Sequence, residues 1–285
     1  MTGTRRVVQS GGFVDAGSGT RFRLVSEPSD LQPRGSIVFV PPFAEEMNKS
    51  RRMVARTARA LAADGWRVIQ RDLQGCGDSS GEFGDASWAA WVADVEAELS
   101  RAPTGLPVWL WCLRGGALLA PAALAAHPGV NLLLWQPVLS GAQHLQQFLR
   151  LHAGARIVSS GTDSDTAAPA QTLRAGKSVE VGGYQISPAL ARGMEQAVFE
   201  LPPDFGGSVE WFELSTQDPP ELSPQATRMV ERLRHRGLVV EPDVLGGPPF
   251  WLTQEIEECE PLLVRSLARL RADGTGASRA ATRHD

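Results

Sequence analysis

The stretch Val108-Trp109-Leu110-Trp111-Cys112-Leu113-Arg114-Gly115-Gly116-Ala117-Leu118-Leu119-Ala120 decides the fold. Its first six residues are apolar without a break, the pattern of a strand covered on both faces; a strand with one face in water would alternate. Two glycines then let the chain turn tightly, and the small apolar residues from Gly115 to Ala126 suit a helix. The spacing therefore predicts a strand over Pro107 to Leu113, a sharp turn at Arg114, and a helix behind it.

The same rhythm recurs on either side. Ser36 to Val40 (SIVFV) is a β-branched run stopped by Pro41 and Pro42. From Lys49 to Asp64, Val54, Ala58 and Leu61 recur at helical spacing between exposed arginines, and Asp64-Gly65 ends the pattern. Trp66 to Gln70 predicts the next strand, followed by the glycine- and aspartate-rich loop RDLQGCGDSSGEFGD and a helix carrying Trp88, Trp91, Val92, Val95 and Leu99 on one face. Val130 to Trp135, Ser208 to Leu214 and Leu238 to Val244 are three more strands, and Ser223-Pro224 opens a helix between the last two. Parallel neighbours need crossover connections, so this alternation predicts an α/β fold with a mostly parallel central sheet and helices on both faces. Residues 141–205 break the rhythm, with SSGTDSDTAAPA in their midst, and are read as an inserted cap. The expected division is an N-terminal segment over 1–35, one domain over 36–271, and a flexible tail over 272–285.

Composition excludes several classes. At 285 residues, with 42% hydrophobic and 21% charged residues, the chain can bury a large core. Its 28 basic and 32 acidic residues leave a net charge of −4 with no basic stripe, so no nucleic-acid footprint is present. No apolar stretch approaches the roughly 18 residues that cross a bilayer. No secretory leader is readable in MTGTRRVVQSGG, and a cytoplasmic protein is expected. Three scattered cysteines (Cys76, Cys112, Cys259) and five histidines without metal-ligand spacing predict reduced thiols, no metal site and no cofactor.

A strand, tight turn and helix is also where an α/β hydrolase presents its nucleophile, in a G-x-S-x-G turn. Counting back from Gly116 puts Arg114 in the serine's place and Cys112 in that of the first glycine. A guanidinium stays protonated at any ordinary pH, so it cannot attack a carbonyl, but it pairs well with a carboxylate or phosphate. With PPFAEEMNKSRR (Pro41 to Arg52), DLQGCGDSSGEFGDASW (Asp72 to Trp88), VWLWCLRGGALLA (Val108 to Ala120), VEVGGYQISPALA (Val179 to Ala191) and GPPFW (Gly247 to Trp251), the chain resembles the exosortase A system-associated hydrolase 2 family. That family belongs to the α/β-hydrolase superfamily and accompanies bacterial systems that sort PEP-CTERM proteins and make exopolysaccharide. The resemblance implies an α/β-hydrolase-like fold, a hydrolase label and association with exosortase-system proteins.

The remaining triad places can be taken one at a time. Asp218, after the strand ending near Leu214, matches the acid's place. The histidine belongs in the loop after the last strand, where Leu245 to Trp251 offers none; His235 precedes that strand and His284 lies in the tail. The candidate binding residues are Phe43, Glu45, Glu46, Asn48, Arg114, Gly115 and Asp218, with Phe43 supplying an oxyanion-hole N–H. Three roles stay open for Arg114: a structural partner of Glu45, Glu46 or Asp218, an anion-binding group, or a catalytic one. Cys76 and Cys112 are read as small buried thiols, Trp88, Trp91 and Trp251 as core, and Trp109, Trp111 and Trp135 as a possible pocket border. Two functions follow: hydrolysis of an ester, thioester or amide bond without a recognisable Ser-His-Asp triad, or a non-catalytic pocket that binds a small anionic molecule, an acyl or peptide ligand, or a partner.

Overall fold

A computed structural model describes residues 6–159 and 169–276. In chain order the strands and helices are β1 (Val7–Asp15), β2 (Thr20–Pro28), β3 (Ser36–Val40), α1 (Glu45–Ala63), β4 (Arg67–Arg71), α2 (Trp88–Ser100), β5 (Val108–Leu113), α3 (Ala120–Ala123), β6 (Asn131–Trp135), α4 (Gly141–Ser159), α5 (Pro169–Arg174), β7 (Val179–Val181), β8 (Tyr184–Ile186), α6 (Pro188–Gln196), β9 (Val209–Ser215), α7 (Pro224–His235), β10 (Val240–Gly246) and α8 (Glu260–Gly276). One eight-stranded sheet runs in the order β1-β2-β4-β3-β5-β6-β9-β10. From β4 to β10 all pairings are parallel, while β1–β2 and β2–β4 are antiparallel.

The unbroken apolar runs divide by parity between two cores. Val38, Val40, Leu110, Cys112, Leu132 and Leu134 face the side where α2, α3 and the cap pack. Ile37, Phe39, Trp109, Trp111, Leu113, Leu133 and Trp135 face the other, with α1 and α8. This is the two-sided burial expected of parallel strands. Trp109, Trp111 and Trp135 are therefore interior, with Phe39–Trp111 and Trp111–Trp135 centroids each 4.6 Å apart.

Residues 7–28 join the sheet as β1 and β2, where the sequence suggested only a segment preceding the domain. Charge conceals β2. Its Arg21 is buried and pairs with Asp94 of α2 at 2.9 Å, and Asp94 also takes Arg71 of β4 at 2.9 Å. Arg71 reaches Glu98 at 2.8 Å, and Arg23 reaches it at 3.0 Å. Each buried charge is thus met by opposite charge, the condition under which ions tolerate an interior.

Between β6 and β9 come α4, α5, the β7–β8 hairpin and α6, the elements of the expected cap; most of SSGTDSDTAAPA lies outside the described residues. Ser187 fastens α6, accepting from the Leu190 N–H at 3.0 Å while donating to the Ala86 carbonyl at 2.7 Å. The last helix runs on to Gly276, beyond the expected end near Leu270, and residues 277–285 of the expected tail lie outside the description. No helix among the described residues is long and apolar enough to cross a membrane.

Candidate functional site

Arg114 follows the last residue of β5 directly, with φ of 52°. A non-glycine residue in that region costs about 1–3 kcal/mol and persists only where its surroundings dictate it. Here they do. A Cβ on Gly116 would lie 2.7 Å from the carbonyl oxygens of both Val40 and Pro41, so the turn presses against the end of β3. The Arg114 carbonyl accepts from the Val138 N–H at 3.1 Å, which ties the turn to the chain beyond β6. The result is a sharp strand-to-helix elbow with a guanidinium at its tip.

That guanidinium meets Glu46, in the first turn of α1. Nε (3.3 Å) and Nη2 (3.1 Å) both donate to the same oxygen, Oε1. The side chains are 17% and 13% exposed. Oε2 of Glu46 is buried and has no hydrogen-bond partner among the described residues. Burial holds the Glu46 carboxyl above the ordinary carboxylate range, outweighing the opposite pull of Arg114. The Arg114 guanidinium also lies 5.4 Å from the ring centre of Trp251, a cation–π contact.

These groups line a cavity of about 360 Å³ bounded by Phe43, Glu45, Glu46, Lys49, Arg114, His144, Gln147, Phe148, Trp251 and Leu252. Most of the exposed wall area is apolar, although six of the ten residues, Glu45, Glu46, Lys49, Arg114, His144 and Gln147, carry polar groups. The Phe43 and Phe148 rings meet edge to face at 4.9 Å, and Leu252 and Gln147 stand exposed at the rim. Lys49 directs its ammonium to the Thr253 carbonyl at 2.7 Å.

Six lining residues were not among those expected from the sequence (Lys49, His144, Gln147, Phe148, Trp251 and Leu252), and two of them, His144 and Trp251, bear on the chemistry. His144 comes from the first turn of α4 and is 6% exposed. Its Nε2 lies 3.0 Å from where a Cβ on Gly115 would stand, so the glycine lets the ring pack closely against the elbow. Nε2 is buried without a hydrogen-bond partner among the described residues, and burial, reinforced by Arg114, lowers the imidazole pKa to about 3. His144 is neutral at physiological pH. Nothing local in GAQHLQQF marks it, because the neighbours that matter are 30 to 100 residues away. Trp251, read as core, is buried in the core on the α1 and α8 side, and from the loop after β10, where a triad histidine would stand, it also lines the cavity.

Of the expected site residues, Phe43, Glu45, Glu46, Arg114 and Gly115 gather at the elbow. Asn48 does not line the cavity; its amide donates to the Tyr184 hydroxyl at 2.8 Å. Tyr184 in turn donates to Glu45 Oε2 at 3.1 Å, so Glu45 and Asn48 hold the cap hairpin. Asp218 is exposed in the loop beyond β9 and is not among the cavity's residues. His235 is exposed at the end of α7, its Nδ1 2.7 Å from the Glu231 carbonyl, and His284 lies outside the described residues. Burial pushes the Cys76 thiol up to about 12 and that of Cys112 higher still, so neither is an available thiolate.

A family model, Hydrolase_4, described as serine aminopeptidase, S33, matches residues 31–164, which include the elbow. No curated protein matches by sequence. Among solved structures, the chain superposes on Est1E from Butyrivibrio proteoclasticus with bound ferulic acid at a TM-score of 0.59, with 12% identity over 93% of this chain and 99% of that one. A soluble variant of monoglyceride lipase from Saccharomyces cerevisiae gives 0.61, with 13% identity over 95% and 96%. Proline iminopeptidase from Mycobacterium smegmatis gives 0.58, with 17% identity over 94% and 100%. The chain has the α/β-hydrolase fold that these structures share, and its residues 31–164 are similar to the serine aminopeptidase S33 family.

Proposed function

We propose that this protein binds an acyl compound bearing a free carboxylate, with the apolar chain against Phe43, Phe148, Trp251 and Leu252 and the carboxylate on Arg114. The observation that carries this reading is the guanidinium at the elbow tip, lining an otherwise mainly apolar cavity. At that tip a serine hydrolase attacks an acyl carbonyl; a permanently charged donor there favours pairing with the corresponding acid. Nε and Nη2 are engaged by Glu46, and among the described residues no acceptor meets Nη1. A fold neighbour holding ferulic acid, itself a carboxylic acid, supports the same ligand chemistry. The resemblance to the exosortase A system-associated family supports a role beside PEP-CTERM protein sorting and exopolysaccharide synthesis. Calorimetric titration with octanoate and methyl octanoate tests the reading. Octanoate should bind at least tenfold more tightly, the worth of one charge-assisted hydrogen bond at about 1.5 kcal/mol; equal affinities would overturn it.

A second reading, hydrolysis of an ester, thioester or amide, is favoured by His144, a neutral imidazole beside the elbow. It requires a nucleophile, and a fluorophosphonate probe tests for one directly. Covalent labelling of any serine would support this reading; an unlabelled protein leaves the carboxylate-binding one.

A further inference from the structure

Glu46 occupies Nε and Nη2 of Arg114, so a ligand carboxylate that meets the open Nη1 can form a two-oxygen pair with the guanidinium only by displacing Glu46. It takes both Nε and Nη2 of Arg114 through one oxygen, at 3.1–3.3 Å, while its other oxygen is buried without a partner among the described residues. An arginine–carboxylate pair at its strongest uses two oxygens in parallel at shorter range. The pair is thus a poorly matched one, inside the cavity and open to competition.

We propose that Glu46 is a resident counter-ion which the ligand's carboxylate displaces from Arg114, and that the displaced carboxyl takes a proton from solvent as the ligand binds. This rests on the carboxylate-binding reading above and adds its regulation by pH. Two carboxylates sharing one guanidinium among apolar walls cannot both stay ionised at low cost, and the less solvated one protonates. Glu46 is that one, being 13% exposed and already short of a partner for Oε2. The other ionisable groups lining the cavity do not replace Arg114. Glu45, on the same helix, adds negative charge and accepts from Tyr184 and Asn48. Lys49 is turned to the Thr253 carbonyl, and His144 across from α1 is neutral. The raised Glu46 carboxyl agrees with this direction.

Binding that takes up a proton weakens as pH rises, by about tenfold per pH unit once Glu46 is ionised in the free protein. The test is calorimetry of octanoate binding at one pH in PIPES and in Tris, which differ in ionisation enthalpy. The wild-type protein should take up close to one proton per octanoate. Glu46→Gln should bind octanoate more tightly than wild type, with no proton uptake and no pH dependence between pH 6 and 8. Wild-type binding without proton uptake would overturn the displacement and leave the carboxylate reading standing. Weaker binding by Glu46→Gln, with proton uptake unchanged, would assign the proton elsewhere and also overturn it. Absence of octanoate binding by the wild type would overturn the carboxylate reading itself.

Discussion

At the scale of single residues, the elbow's backbone is fixed by what glycine leaves out. A Cβ at position 116 would meet two backbone oxygens that cannot swing aside, so Gly116→Ala should cost about 1–3 kcal/mol, as overpacking does; equilibrium urea unfolding measures it. His144 gives a pH signature. Its pKa falls from an ordinary 6.5 to about 3 in the folded protein, so between those values the unfolded chain binds the extra proton. The stability associated with its neutral state is full above pH 6.5 and is lost as pH falls toward 3. His144→Phe should flatten that part of the stability–pH curve, measured by urea titration from pH 7 to pH 4. An unchanged slope would mean the imidazole is solvated. The arginine at the tip was legible in the sequence because the turn has a fixed spacing around Gly116. His144 was not, because a buried histidine is defined by the helix that delivers it and by the glycine it covers, neither of which is local in sequence.

Among elements, one polar tie between the cap and the rest of the fold involves the chain's sole tyrosine. Tyr184 of β8 meets Glu45 and Asn48 at the start of α1. Tyr184→Phe removes both bonds, and each partly exposed hydrogen bond is worth about 1 kcal/mol. Hydrogen exchange should then quicken in β7 and β8 while β3, β5 and β6 keep their protection; uniform quickening would mean that the tie supports the whole fold. The buried charges on β2, β4 and α2 behave differently. Asp94 holds Arg21, Arg71 and the Gln74 N–H, so Asp94→Ala leaves two buried guanidinium groups underpaired and should destabilise by about 3–5 kcal/mol in chemical unfolding. This network also explains what the sequence concealed. β3, β5 and β6 were legible as unbroken apolar runs, whereas β2 carries Arg21 and Arg23, whose partners lie about 70 residues further along the chain.

For the whole molecule, alternating strands and helices sufficed to predict a mostly parallel sheet covered on both faces with an insertion before its last strands, because that pattern depends on side-chain parity and crossover length. Assembly of the cavity was less legible. It draws on the end of β3, the start of α1, the elbow, α4 and the loop after β10, five places that only the closed fold brings together. A triad histidine would stand in the loop after the last strand, but that loop supplies Trp251, which lies against the guanidinium. An arginine backed by an aromatic ring and facing an apolar cavity is suited to holding an anion in place. The most direct measurement is calorimetric titration of octanoate into wild type and Arg114→Met, a substitution that keeps an unbranched side chain and removes its charge. The account predicts that binding weakens by at least tenfold, the equivalent of about 1.5 kcal/mol for one charge-assisted hydrogen bond; the same affinity in both proteins would contradict it.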